Sequence, residues 1–463
     1  MAASPRPNVL LIAVDDLNHW VGHLGRNKQV KTPNIDRLAA RGVTFTRAYC
    51  AAPVCNPSRT ALLSGLRPST SGVYDNPTPW QPNVPRGYTL NECFRANGYF
   101  VCGAGKIYHG GGGRREDWDN YGVGGGRDPN PRGTNSGVDG IKLAPLDCRD
   151  EEMPDYRIAT YGVEELHKKH DKPFFLAIGF HKPHMPWNVP RKYYDMYPLE
   201  KIELPPYRED DLDDLPPAGV KMAKAFGDHE AVLKSGRWKE AVQAYLAAIS
   251  FMDAQVGRVL DALDRSAYTT NTIICFWGDH GWHLGEKHHW RKFALWEEAT
   301  RAPFIWVAPG ITKPGRCERT VDFMSIYPTL CELTGLAVPE HIEGISIGKL
   351  LSDPAAEWKT PALTTHGYQN HAVRSERWRY IRYADGGEEL YDHTKDPYEW
   401  RNLANDSEFS KTKTELGQRL PKVNKTAPGR DRQRGASGRP ARNRIGPRDV
   451  PARSGPASDD SLE

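Results

Sequence analysis

"NVLLIAVDD", residues 8–16, decides how the chain is read. The run "NVLLIAV" carries no charge and has the length of a strand. An apolar run of that kind fits a parallel strand covered on both faces better than a half-exposed one, which would alternate. The run stops abruptly at two carboxylates, Asp15 and Asp16. Runs of the same kind recur at "PFFLAIGF" (173–180), "NTIICFW" (271–277) and "APFIWVAP" (302–309). Helical patterns separate them. "PNIDRLAARG" (33–42) has Pro at its start and Gly at its end. "IATYGVEELHKKH" (158–170), the long amphipathic "KEAVQAYLAAISFMDAQVGRVLDALDRS" (239–266) and "FMSIYPTLCELTG" (323–335) complete the set. Alternation of buried strands with helices predicts an α/β fold, a mainly parallel sheet sandwiched by helices.

Outside that rhythm, residues 110–140 are rich in Gly, Asn, Asp and Arg and read as a long loop. Residues 362–405 carry short alternating runs around "DGGE" (385–388), a hairpin signal. They predict a small antiparallel α+β subdomain. The expected organisation is a catalytic domain over 1–350, the subdomain over 351–425, and a basic tail over 426–463. The tail is dominated by Arg, Gly, Pro and Ser, and is too poor in large apolar residues to fold alone.

The chain has 463 residues and a net charge of +4. Residues 411–463 contribute +7, so the rest is slightly acidic and gives no reason to expect nucleic-acid or membrane binding. No apolar run approaches the roughly 18 residues of a membrane span. "MAASPRPNVLLIAVDD" has no separate hydrophobic core and cleavage site. It reads as a strand and not a leader, which leaves the chain cytosolic or already relieved of an export signal. The eight cysteines show no zinc-type pairing, and with Cys55 set aside the remaining seven cannot form a complete disulfide set.

Five polar clusters follow the predicted strands or sit in Gly-rich loops. They are Asp15–Asp16, Cys55 with Arg59, "GKIYHG" with Lys106 and His109, "GFHKPHMPW" (179–187) with His181 and His184, and "WGDHGWHLGEKHHWRK" (277–292) with Asp279, His280, Trp282 and Lys292. Ligands of open α/β sheets bind beyond the carboxyl ends of the strands. Three carboxylates brought to one rim would repel, and a hard divalent cation such as Ca²⁺ or Mg²⁺ would relieve them. Arg59, Lys106 and Lys292 would face that cation across a site suited to a sulfate or phosphate oxyanion. Taken singly, each cluster has an ordinary structural reading: a helix cap, a polar loop, a buried thiol. Their shared position at strand ends is what points to chemistry.

"CNPSRTALLSG" (55–65) resembles the sulfatase signature, Cys-x-Pro-Ser-Arg followed by Leu-Ser/Thr-Gly. The resemblance runs from Asn8 to about residue 405 through "DD", "GKIYH", "HKPH", "GDHGWHLGE" and "ELYDHTKDPYEWRNLA". Within the family it is similar to the iduronate-2-sulfatase branch, through "RPSTSGVYDN", "GFHKPHMPWNVPRKYYDMYP" and "DHGWHLGE". The resemblance implies an alkaline-phosphatase-like fold and oxidation of Cys55 to Cα-formylglycine by a separate maturation enzyme. A hydrated aldehyde offers one hydroxyl to attack sulfur and a second whose deprotonation expels sulfate; a serine has no such exit.

It also implies that Asp15, Asp16, Asp279, His280 and residue 55 hold Ca²⁺. Many sulfatases carry Asn where this chain has His280, and the iduronate branch carries His. Lys106 and Lys292 would hold sulfate oxygens, and Arg59 would steady the hydrate. His109 would act in the elimination and His181 would protonate the leaving alcohol. His184 and Trp282 would shape the sugar pocket. The implied substrate is a sulfated, uronate-containing glycan; family members are mostly exported. Arg114 and Arg115 could meet a polyanionic sugar or belong to a solvated loop. The alternatives are a phosphate or phosphonate monoester hydrolase of the same superfamily and a non-catalytic sulfoglycan-binding protein whose Cys55 stays a thiol.

Overall fold

The computed structural model describes residues 6–426, apart from 125, 127 and 130–139. Eight strands form the central sheet: β1 (Asn8–Val14), β2 (Val43–Tyr49), β3 (Phe100–Gly105), β4 (Asn120–Tyr121), β5 (Phe174–Phe180), β6 (Thr272–Gly278), β7 (Phe304–Val307) and β8 (Gly315–Asp322). Their spatial order is β8-β2-β7-β6-β1-β5-β3-β4. Only β7 runs against its neighbours. The four adjacent strands β6, β1, β5 and β3 are all parallel, in registers that set Val14 beside both Gly278 and Phe180, and Gly105 beside Gly179. Their carboxyl ends therefore open on one edge.

Both faces of the sheet are covered. On one side, α4 (Pro154–His167) and the long α5 (Trp238–Arg265) bury the Leu10, Ile12, Ile178 and Phe276 face. On the other, α3 (Leu90–Ala96) and α6 (Ile326–Leu333) pack with Val9, Leu11, Phe175 and Cys275. Helix α1 (Pro33–Ala39) lies along α5, held by Asp253, which accepts from the amides of Asn34 and Ile35. Helix α2 (Cys55–Ser64) is buried on every side. It begins at Cys55 itself, with Pro57 as its third residue.

The sequence reading misses β2, β3 and β8. "VTFTRAY" and "GRCERTVD" alternate with polar residues, and "FVCGAG" is short and Gly-rich. The Gly-rich stretch after residue 110 is not wholly loop, since Asn120 and Tyr121 pair in parallel with Cys102 and Gly103 at the sheet edge. Arg114 is not available to a polyanion. Its guanidinium lies over Trp80, 4.9 Å from the ring centre, and donates to the carbonyls of Gln81 and Val84. Residues 427–463 lie outside the described residues, and with them the expectation for the basic tail.

The expected antiparallel subdomain is present. It is a four-stranded meander of β9 (Ala362–Thr365), β10 (His371–Arg374), β11 (Trp378–Arg382) and β12 (Glu388–Asp392), with "DGGE" in the β11–β12 turn. Buried charge fastens it to the main body. Glu297 accepts from Tyr49 Oη at 3.0 Å, Arg374 Nε at 3.3 Å and Arg379 Nη2 at 2.5 Å. Burial opposes the Glu297 charge, but Arg374, His393 and Arg379 outweigh it and hold its pKa well below the ordinary 4.5. A depressed carboxylate pKa contributes stability above its unfolded value that is lost as pH falls toward the folded one. Glu297→Gln leaves the buried Arg374 guanidinium without its counter-charge and removes one of the two carboxylates that meet Arg379. It is expected to cost about 3–5 kcal/mol at neutral pH and to flatten the acid limb of the stability curve, both read by urea unfolding across pH.

Candidate active site

Each parallel strand hands a polar residue to the same edge while its backbone ladder continues one step further. Asp15 N–H donates to Phe180 O at 3.1 Å, Asp279 N–H to Val14 O at 3.1 Å, and Lys106 N–H to Gly179 O at 2.9 Å. The approach of Lys106 is close enough that a Cβ on Gly179 would collide with its carbonyl, so glycine is required there. The fourth contribution is the amino end of α2, with Cys55 as its first residue.

Arg59 joins these parts. Fully buried, it donates from Nε to Asp279 Oδ2 at 2.9 Å and from Nη2 to Asp15 Oδ1 at 3.2 Å. Its Nη1 donates to the carbonyls of Lys106 and Ile107. Lys106 Nζ reaches Asp15 Oδ2 at 2.6 Å. Lys292 Nζ lies 3.0 Å from Asp16 Oδ1 and 3.1 Å from Cys55 Sγ. His280 Nε2 is 3.3 Å from Cys55 Sγ and 3.4 Å from Asp16 Oδ1. The three carboxylates expected to repel are instead matched by three buried cations.

The electrostatics follow from that pairing. Burial opposes ionisation of Asp15, but Lys106, His184 and Arg59 outweigh it and hold the pKa well below the usual carboxylate range. Burial raises that of Asp279, against the pull of His280 and Arg59. Burial also pushes the Cys55 thiol well above its ordinary value, and Asp15 adds to the effect. As a cysteine, residue 55 is therefore a neutral thiol, poorly suited to nucleophilic attack.

Donor atoms of Asp15, Asp16, Cys55 and His184 lie within 4.8 Å of one another, as do those of Asp15, Cys55, Asp279 and His280. Asp16 Oδ2 is buried with no hydrogen-bond partner, and Asp16 sits at a left-handed φ of 59° that turns it inward. An oxygen-rich set with an uncompensated carboxylate oxygen fits a hard divalent cation. His184, expected in a sugar pocket, stands instead with Nε2 4.0 Å from Asp16 Oδ2, at the edge of this set.

The remaining expected residues fall as follows. His181 follows β5, partly exposed, with Nδ1 3.4 Å from Asp155 Oδ1. His109 sits half-buried at the tight turn where Tyr108 and Gly111 exchange backbone hydrogen bonds. Trp282 does not line an open pocket. It is 1% exposed, packed against Tyr245 and Trp187, with the Lys292 ammonium 5.7 Å above its ring. It supports Lys292 from below.

Asp155 was missed. It lies near the amino end of α4 and accepts from the amides of His181 (3.0 Å) and Lys182 (2.9 Å), which fixes the His181 loop. The Met-Pro-Asp step before "YRIATYG" was its one sequence signal. Lys182 is likewise structural, donating to Asp128 Oδ2 at 2.6 Å and Pro186 O at 2.7 Å.

Residues 7–336 match the Sulfatase family model, and residues 285–426 match the N-sulphoglucosamine sulphohydrolase C-terminal family. A sulfatase of Formosa agariphila is 43% identical over 448 residues, covering 91% of this chain and 87% of that one. Human iduronate 2-sulfatase is 33% identical over 403 residues, covering 74% and 73%. Among solved structures, a 2-O GAG sulfatase superposes with a TM-score of 0.71 at 25% identity, covering 89% of this chain and 90% of that one.

The raised thiol has a direct consequence. In protein made without modification of residue 55, native Cys55 should react with iodoacetamide at pH 8 at least about a hundredfold more slowly than in urea. Peptide mass mapping over time reads the difference.

Proposed function

The chain belongs to the sulfatase family and is a sulfuric ester hydrolase, and from that premise we propose that it removes 2-O-sulfate from a uronate of a sulfated glycan, using Cα-formylglycine at position 55 and Ca²⁺. The observation that carries the reading is the convergence on Cys55 of five acidic or imidazole groups and Lys292, with Lys106 held on Asp15, from segments far apart in sequence. The 2-O position and the uronate rest on likeness to iduronate 2-sulfatase and to the 2-O GAG sulfatase.

Asp15, Asp16, Asp279, His280 and residue 55 would hold the cation, with His184 beside them. Bound there, it would supply positive charge for the sulfate oxygens. The aldehyde hydrate at position 55 supplies the attacking hydroxyl and, after transfer, the second hydroxyl through which sulfate leaves.

The rest of the work falls to the chain's own side chains. Lys106 and Lys292 hold sulfate oxygens and stabilise charge as it moves onto them. Arg59 fixes Asp15 and Asp279, and the amino end of α2 adds its partial positive charge at residue 55. His181 turns Nδ1 toward Asp155, which leaves Nε2 to give a proton to the departing alcohol. His109 takes the proton in the elimination step. A charge count supports the cation. Three carboxylates and three basic groups already balance in this buried cluster, so a divalent oxyanion entering alone would leave uncompensated negative charge.

Three outcomes follow for protein matured in a host with the modifying enzyme. The residue 55 peptide should be lighter by about 18 Da than the thiol form. Cys55→Ser should lose at least about a thousandfold in kcat for sulfate release, since it can be sulfated but not cleared. Chelation should lower Tm, and Ca²⁺ at about a hundred times its Kd should restore about 2.7 kcal/mol, with Mg²⁺ less effective. An unchanged thiol in active protein, or faster cleavage of an aryl phosphonate than of an aryl sulfate, would overturn the reading.

A further inference from the structure

A cavity of about 220 Å³ is lined in part by His288, His289 and Trp290, the residues that lead into Lys292, and belongs to none of the groups described so far. Its volume is below the roughly 300–1,000 Å³ of a complete ligand pocket, so it has room for one ring and not an oligosaccharide. Three rings cluster in its wall: His288 stacks on both Tyr207 and His229, which are tilted 35° to each other, with centroids 5.0–5.3 Å apart. Phe226 and Leu233, 48% and 47% exposed, form the rim.

One polar atom in the wall lacks its bond. His229 is 5% exposed, and its Nδ1 accepts from Trp290 Nε1–H at 3.2 Å. The proton of the neutral ring is therefore on Nε2, which is buried without a partner among the described residues. Burial, with His288 and His289, holds the His229 pKa down at about 4, so the ring is neutral at physiological pH. Asp228 accepts from Arg291 Nε at 2.6 Å, and the two other charged lining residues, Lys224 and Glu230, cancel only in sign.

The cavity is tied to the catalytic lysine. Phe226 packs on Phe293, ring centres 5.2 Å apart, and His289 Nε2 lies 2.6 Å from the carbonyl of Lys292. The segment carrying them is strained: Lys287, His288, Arg291 and Phe293 all have φ between 50° and 74°. Strain of that kind collects where a surface must be held in one shape for a ligand.

We propose that this cavity is a subsite for the pyranose ring adjoining the sulfated sugar, its face on the Tyr207–His229–His288 wall and one ring oxygen or hydroxyl accepting from His229 Nε2–H. The inference rests on the glycan reading of the site. A pyranose presents apolar C–H faces to aromatic planes and hydrogen-bond acceptors at its rim, which matches an aromatic wall bearing one unused donor. The neutral lining assigns an unsulfated ring there.

The test uses full-length Cys55→Ala protein, which binds without turnover, and a 2-O-sulfated uronate as the monosaccharide and as the disaccharide carrying one unsulfated neighbouring ring. Calorimetry should give a disaccharide Kd at least about tenfold below that of the monosaccharide. His229→Phe keeps the ring and removes the donor, and Leu233→Trp fills the cavity from its exposed rim. Each should reduce the disaccharide-to-monosaccharide affinity ratio about five- to tenfold. A disaccharide that binds no tighter than the monosaccharide, or a ratio unchanged in either variant, overturns the proposal. Failure of the matured enzyme to release sulfate would instead strike the catalytic reading, and this affinity ratio does not measure it.

Discussion

Arg59 is the group on which the rest of the site depends. Its guanidinium has no exposure to water, yet it touches two carboxylates from two strand ends and two carbonyls from a third. An arginine buried to that degree is tolerable only if its donors are met, and its planar fork meets groups from several directions at once. It rides on the first turn of the helix that begins at Cys55. Pairing with Asp15 and Asp279 therefore fixes where residue 55 stands relative to the sheet edge. A lysine at that position could satisfy one carboxylate but not the fork.

The cluster is neutral in formal charge, with its opposite charges in direct contact. Lys292 and His280 both reach Cys55 Sγ and Asp16 Oδ1, and Lys106 reaches Asp15. Lys106 pairs with Asp15 and Lys292 with Asp16. Such contacts are exchangeable. An incoming oxyanion offers the ammonium groups new oxygens, and the carboxylates released then need another positive partner. On the function proposed above, binding of oxyanion and cation would be coupled by charge, each removing the obstacle to the other.

Much of this was legible in the chain because the decisive strands are buried on both faces. β1, β5 and β6 are uninterrupted apolar runs, and each ends in the residues that matter. Asp15, Asp16, His181, Asp279 and His280 could be placed at one edge from that alone. Strands that alternate or carry glycine gave no comparable signal, so β2, β3 and β8 were lost, although Lys106 survived through its motif. Asp155 is missed because the Met-Pro-Asp step marks only a helix start, while the residue acts through backbone amides of a loop distant in sequence. Trp282 was misread because an aromatic residue beside a catalytic motif says nothing about which way it faces. Packing against Trp187 and Tyr245 decided that.

Lys292 poses a different problem, because no strand end delivers it. After β6 releases Asp279 and His280, the chain leaves the sheet, makes a short antiparallel pairing of His283–Leu284 with Trp290–Arg291, and returns with Lys292 aimed at Cys55. The return includes four non-glycine residues at positive φ, each costing on the order of 1–3 kcal/mol. Conformations of that kind persist only where the surroundings over-determine them. Here the antiparallel C-terminal sheet supplies the restraint. Arg379 of β11 donates to Leu295 O and Glu297, Glu389 of β12 accepts from Trp296, and Lys287 reaches Asp211 and the carbonyl of Glu399. The subdomain contributes no group to the cluster around Cys55 among the described contacts, but it clamps both ends of the segment that does. The small sheet thus acts on the chemistry through the position of one ammonium group, and loosening it would be felt at Lys292 before it was felt in the central sheet.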